Sequence, residues 1–371
     1  MIMKPRRFAL GTMALGVGCA CIVACGGDDT TEPVADGGAD ATAVDGSTDS
    51  STGVDTGTDA VSDTGSDSGT VDRGPTTIAF AGDPNGLFWD YGVGAALYIA
   101  DSANNKIVKW TDKSGYGKTW DLPDPGDGGP TLGQVIRLFD GTMYVTNFGY
   151  GTAGTVFVVD PSGDAGSLGN LAVNRRRIGL AILADGTLVD TYFKKVDGGV
   201  QGALAKLSLT PDGGGKETDL ALGLSKPIGV VYNERKIYVS DQNFGVLQSG
   251  LTGGTYPPDA APIDPDAGDA GDGGDAGDAG DAAVADAGPI ITLFSNVASP
   301  NLIAQGPDGT LFTGNSSGTV FQIDRAGVAT SIITGLLGVR GVAYDGAHKR
   351  LFVAEHDPAG TANAIRIYPI N

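Results

Sequence analysis

The chain has 371 residues, 61 of them glycine, and a formal net charge of −20. That charge sits in two tracts, −11 over residues 26–75 and −9 over residues 256–289; the first 25 residues carry +3, which leaves −3 for everything else. Without clustered Lys and Arg there is no footprint for a phosphate backbone, which argues against nucleic acid, and with all three cysteines (Cys19, Cys21, Cys25) inside the first 25 residues a disulfide framework or thiolate zinc site downstream is excluded.

In chain order, the first predicted element is a secretory signal. Lys4, Arg6 and Arg7 precede an apolar run from Phe8 to Val23, too short and too early for an ordinary spanning helix. Ile22-Val23-Ala24-Cys25 resembles a bacterial lipobox. The resemblance implies a signal peptide over residues 1–24, cleavage before Cys25, lipidation of Cys25, and a membrane contact through that lipid. It places the protein in the bacterial cell envelope, at the outer membrane or cell surface, after export through the inner membrane. Gly26 in place of Asp after the cysteine favours the outer membrane. A plain cleaved signal with incidental cysteines is the other reading.

Residues 25–75 are almost entirely Asp, Gly, Ser, Thr, Ala and Val, with no aromatic residue. Such a stretch cannot bury enough apolar surface to offset its ordering entropy, so it reads as a disordered tether. Residues 257–289 contain DAGDAGDGGDAGDAGDAA and read as a disordered acidic insertion. They lack the Pro and repeat number of collagen and the paired glycines of calcium-binding nonapeptides.

Between these tracts a pattern repeats. LYIAD ends at Asp101 and is followed by a polar turn and a second alternating run, LYIADSANNKIVKW. Related pentads end at Asn147, Tyr192, Asp241, Asn315 and Glu355. Each has a short apolar run upstream and, in most copies, an Asp-Gly turn (Asp140-Gly141, Asp185-Gly186, Asp308-Gly309, Asp345-Gly346) to supply a residue with φ > 0. A third strand follows each pentad. Six antiparallel meanders without helical periodicity predict an all-β, six-bladed β-propeller over residues 76–371. The last copy lacks an outer strand and Thr76–Phe80 is a strand to spare, so pairing the two closes the ring. The insertion falls between the third and fourth strands of the fourth copy.

LYIADSANNKIVKW resembles the NHL repeat across essentially all of residues 76–371, and Pro84-Asn85-Gly86-Leu87 is similar to one motif of the gluconolactonase-type propellers. That second resemblance implies a lactone hydrolase with a divalent cation such as Ca²⁺ held by carboxylate and amide oxygens, with Asn85 as a metal ligand. The other motifs of that family are missing here.

Candidate site residues are those entering the innermost strands: Asn85, Gln134 or Val135, Ile178, Ile228, Asn301 and Arg340. Arg175, Arg176 and Arg177 lie just before the third copy and suit an anionic ligand. The channel-mouth set is Asn85, Arg177, Asn301 and Arg340. Asp101 and its equivalents recur too often to be catalytic and are expected to accept backbone N–H bonds at the turn into the third strand. The chain has two histidines. His348 lies in a hairpin; Glu355-His356-Asp357 poises a general base or forms a rim loop. The leading functional expectation is a monomeric binding or scaffold module for protein or glycan, and the second is the metal-dependent lactonase-like hydrolase.

Overall fold

The computed structural model describes residues 75–250 and 291–370, except residues 93, 127, 128, 130, 150–153 and 198. The signal peptide, Cys25, the tether up to residue 74 and the 257–289 insertion lie outside the described residues.

Six four-stranded antiparallel sheets are formed; five take four successive strands from inside to outside, and the sixth takes the last three strands and the first. Blade 1 is β2 (Pro84–Asp90), β3 (Ala96–Asp101), β4 (Lys106–Thr111) and β5 (Gly115–Asp121). Blade 2 is β6 (Leu132–Arg137), β7 (Met143–Asn147), β8 (Thr155–Val159) and β9 (Ala165–Ser167). Blade 3 is β10 (Arg176–Ile182), β11 (Leu188–Val196), β12 (Gly199–Leu209) and β13 (Gly215–Leu224). Blade 4 is β14 (Pro227–Asn233), β15 (Lys236–Asp241), β16 (Gly245–Gly250) and β17 (Ile291–Ser295). Blade 5 is β18 (Pro300–Gln305), β19 (Leu311–Asn315), β20 (Val320–Ile323) and β21 (Ala329–Ile333). Blade 6 is β22 (Val339–Asp345), β23 (Arg350–Glu355), β24 (Ala364–Pro369) and, as its outer strand, β1 (Thr76–Ala79).

The closure therefore runs as expected from the strand count. β1 pairs antiparallel with β24, Thr76 opposite Ile367 and Ala79 opposite Ala364. The insertion separates β16 from β17, whose ends still pair as Ser249 with Ile291. Strand alternation puts the start of β1 and the end of β16 on the face that carries the β2–β3 hairpin. Both Asp-rich segments thus join the propeller on the face opposite the turns after Asp101 and its equivalents.

The innermost strands β2, β6, β10, β14, β18 and β22 neighbour one another around the ring. They approach so closely that a Cβ on Gly86 would fall 2.1 Å from the Gly133 carbonyl oxygen. Apolar columns of neighbouring blades interdigitate: Leu97, Ile99 and Trp89 pack with Phe352 and Ile365 across the seam between blades 6 and 1. Tyr98, Ala100 and Ile107 pack with Val135, Val145 and Phe157 between blades 1 and 2. Hydroxyls of the second strands bridge blades: Thr146 Oγ1 donates to the Ile178 carbonyl (2.5 Å), Thr191 Oγ1 to Ile228 (3.2 Å) and Ser240 Oγ to Asn301 (2.6 Å).

The recurring acid or amide holds loops, as its repetition implied. Asp101 accepts from the Asp83 N–H (3.1 Å) ahead of β2 and from the Asn104 N–H (3.3 Å) in the turn. Asp241 accepts from Ser225, Lys226, Asn243 and Phe244 N–H groups at 2.9–3.3 Å. Glu355 accepts from Leu337, and Asn147 from Thr131. The opposite hairpins follow the Asp-Gly expectation with one exception. Gly141, Gly186 and Gly309 have positive φ, but Gly346 does not; there the left-handed residue is Lys349.

Candidate functional site

Every innermost strand carries a register break at its start, for example between Pro84 and Leu87 and between Leu132 and Val135. The extra residue of such a bulge leaves the pairing and re-aims the strand. Counted from these breaks, the mouth column is Asn85, Gly133, Ile178, Ile228, Asn301 and Arg340. Blade 2 corrects the sequence reading. Gly133 holds the position assigned to Gln134 or Val135, because the residue after the last pair before the break, Leu132–Asn147, is Gly133. Gln134 is buried and its amide donates to the Leu87 carbonyl (2.9 Å), while Val135 lies in the core.

A second ring lies at the ends of the second strands, one residue past the loop-holding position: Ser102, Phe148, Phe193, Gln242, Ser316 and His356. Together the rings divide the mouth. Over blades 2 to 4 it is apolar. Phe148 and Phe193 lie 5.4 Å apart, clustered with Ile178, Ile228 and Leu302. The Arg176 guanidinium caps the two phenyl rings at 5.3 and 5.9 Å, a geometry that binds a cation to aromatic faces.

Elsewhere the mouth is polar. Asn301 is 4% exposed; its amide donates to the Val339 carbonyl (2.6 Å) and accepts from Gln242 (3.0 Å). Asn85 donates to Ser102 Oγ (3.3 Å), which also receives the Leu132 N–H (3.0 Å). Arg340 is exposed and has no ion pair or hydrogen bond among the described residues. His356 Nδ1 lies 2.8 Å from Asp83 Oδ1. The sequence reading looked for partners of His356 in its neighbours. Instead Glu355 is engaged by Leu337 and Arg366, and Asp357 accepts N–H bonds from Ala359, Thr361 and Ala362. The partner of His356 is Asp83, 273 positions away in sequence and so outside any local pattern.

Arg177 is not a mouth group. It is fully buried, and its guanidinium meets both Glu217 oxygens (2.5 and 2.7 Å) and the Gly154 and Ala172 carbonyls (2.7 and 2.9 Å). Arg175 lies over the Tyr192 ring at 3.9 Å and pairs with Asp219 at 3.0 Å. Asp190 completes this cluster, 3.9 Å from Arg177 Nε and fully buried. Desolvation, then the Glu217 charge, hold its carboxyl well above the usual range, against the pull of Arg177. Equivalent strands carry Ile99, Val145 or Val239 here. A groove of about 350 Å³ lined by Arg175, Lys216, Glu217 and Asn170 opens over this cluster, away from the mouth.

A hard divalent cation of the kind the Pro84–Leu87 resemblance implies does not fit the mouth column. Its members are two amides, one guanidinium, two isoleucines and a glycine, whereas such ions take carboxylate and other oxygen donors in number. Among the described residues no three His, Cys, Asp or Glu groups are placed to share an ion. Asp101, Asp241 and Glu355 are committed to backbone N–H groups, and Asp83 to His356. Asn85 therefore lacks the co-ligands that its assignment needs.

No family model and no curated protein matches the chain. Solved structures do. A luciferin-regenerating enzyme superposes with a TM-score of 0.55 at 13% identity, over 80% of this chain and 96% of its own. A protein assigned as a gluconolactonase gives 0.55 at 12% identity, over 80% and 91%. The calcium-binding protein regucalcin from Agrobacterium tumefaciens C58 gives 0.53 at 14% identity, again over 80% and 91%. What this chain shares with them is the fold: a six-bladed β-propeller.

Proposed function

We propose that the protein is a cell-envelope binding module, anchored through a lipid on Cys25, whose propeller mouth takes a protein or glycan ligand. One observation carries the binding reading: the mouth is divided between an apolar side, where half-buried Phe148 and Ile178 pack on buried Phe193 and Ile228, and a hydrogen-bonding side (Asn85, Asn301, Gln242, Arg340). A glycan suits that division, with the C–H face of a sugar ring against phenyl groups and its hydroxyls on amides and guanidinium. The Asp-rich segments join on the opposite face, which leaves the mouth unencumbered by their attachment points.

The test is a glycan and envelope-protein binding screen with Phe148→Ala and Arg340→Ala beside the unaltered chain. Binding lost in both variants supports the mouth; binding retained in both overturns it. The anchor is tested by fatty-acid labelling, with incorporation lost in Cys25→Ser.

Hydrolysis in the manner of the lactonase-like propellers is the second reading, and it draws on the His356–Asp83 pair at the mouth. Thermal unfolding with Ca²⁺ and with chelator tests its metal-dependent form. A ligand at about 100 times its Kd stabilises by roughly 2.7 kcal/mol, so a midpoint unchanged by the ion removes that form.

A further inference from the structure

We infer that His356, oriented by Asp83, is a metal-independent general base at the propeller mouth that activates water for the hydrolysis of acyl esters. This goes beyond binding, and the binding reading stands or falls separately.

The geometry is that of an oriented imidazole. Asp83 Oδ1 lies 2.8 Å from His356 Nδ1. A carboxylate on Nδ1 keeps the proton of the neutral ring there and leaves the Nε2 lone pair to accept. Nε2 has no hydrogen-bond partner among the described residues, and the side chain is 21% exposed, so water reaches it.

Both members of the pair are fixed by main chain on either side. The Asp83 N–H donates to Asp101 Oδ1 (3.1 Å) and its carbonyl accepts from the Ser102 N–H (2.9 Å). The His356 N–H donates to the Gly338 carbonyl (2.9 Å). These anchors sit at the starts of the innermost strands of blades 6 and 1. Arg340 follows Gly338 by two residues, and Asn85 follows Asp83 by two. A cationic donor and an amide therefore stand on the two innermost strands whose starts anchor the His356–Asp83 pair. The other histidine is built differently. His348 lies at the opposite end of β23, and its partner Asp345 is buried and also held by Arg350 (2.9 Å).

In the reaction, Nε2 takes a proton from water as the water oxygen bonds to the acyl carbon. The carbonyl π pair moves to oxygen, and Arg340 and Asn85 are the groups placed to receive that negative charge. Collapse breaks the acyl C–O bond, and the imidazolium returns its proton to the leaving alkoxide. One ester and one water give one acid and one alcohol, with no redox partner. The acyl chain takes the apolar half of the mouth, against Phe148 and Ile178.

The test uses the full chain with 4-nitrophenyl butyrate, in the presence of chelator. Saturable hydrolysis is expected. His356→Gln should lower kcat by about 100-fold or more, the usual scale of general-base catalysis. Asp83→Asn should lower kcat by a smaller factor with little change in KM, and Phe148→Ala should raise KM while kcat holds. His348→Gln should match the unaltered chain. Nitrogen NMR of the two histidines gives a readout independent of turnover: His356 should be the Nδ1-protonated tautomer, and Asp83→Asn should disturb it. Absence of saturable turnover, full activity in His356→Gln, loss of activity with chelator, or a His356 protonated on Nε2 alone would each overturn the proposal. Retained glycan or protein binding alongside any of these results would leave the binding module intact.

Discussion

Arg177, at the start of the innermost strand of blade 3, and Glu217, on the outermost strand of the same blade, meet in a two-pronged ion pair at 2.5 and 2.7 Å, with the Arg177 side chain fully buried and that of Glu217 3% exposed. Removing one partner of such a pair leaves the other charge desolvated and uncompensated. Arg177→Met should therefore destabilise the propeller by about 3–5 kcal/mol, read as a lower midpoint in denaturant unfolding. Replacing both members with apolar residues should recover most of that loss.

Asp190 adds a pH dependence to the same cluster. Its folded-state pKa is raised, chiefly by desolvation. A raised carboxyl pKa means that the folded state binds the proton more tightly than the unfolded state. The associated stability is complete below the unfolded value of about 4 and is lost as pH rises from there through the folded value. Asp190→Val, which restores the side chain found at Val145 and Val239, should remove this dependence. The variant's stability advantage should grow as the pH is raised above about 4, and equal slopes for the two proteins would refute the assignment.

Asp241 carries the loops at the mouth side of blade 4, accepting four backbone N–H bonds. Hydrogen bonds to a charged group contribute about 1.5–3 kcal/mol. Asp241→Ala should cost at least about 2 kcal/mol in unfolding experiments and speed amide exchange at Ser225, Lys226, Asn243 and Phe244.

The insertion separates two strands that pair regardless, Ser249 opposite Ile291. Loop-closure entropy changes slowly with length, so replacing residues 257–289 with three glycines should stabilise the propeller by about 1 kcal/mol. Loss of folding on that replacement would show that the segment does more than link β16 to β17.

Much of the architecture was legible before any coordinates. Period-two strands, Asp-Gly turns and a strand left over at Thr76 have local causes, and each survives in the pairing of β1 with β24. The recurrence of Asp101, Asn147 and Asp241 was also enough to assign them to loops, since a repeated side chain serves a repeated backbone need. The site was less legible. Counted from the bulge that opens the innermost strand of blade 2, its mouth position is Gly133 and not Gln134 or Val135. The three arginines, adjacent in sequence, separate into an aromatic cap, a partly covered ion pair and a buried core charge.

The blade count and the closure are written in the chain, because hydrophobic alternation and turn chemistry act over a few residues. Which polar groups face one another follows from the packed blades. Asp83 meets His356 across 273 positions, and Arg177 meets Glu217 across 40. Such pairs form where ring closure and blade packing bring distant strand ends together. Their burial, and hence their chemistry, depends on neighbours that no local pattern names.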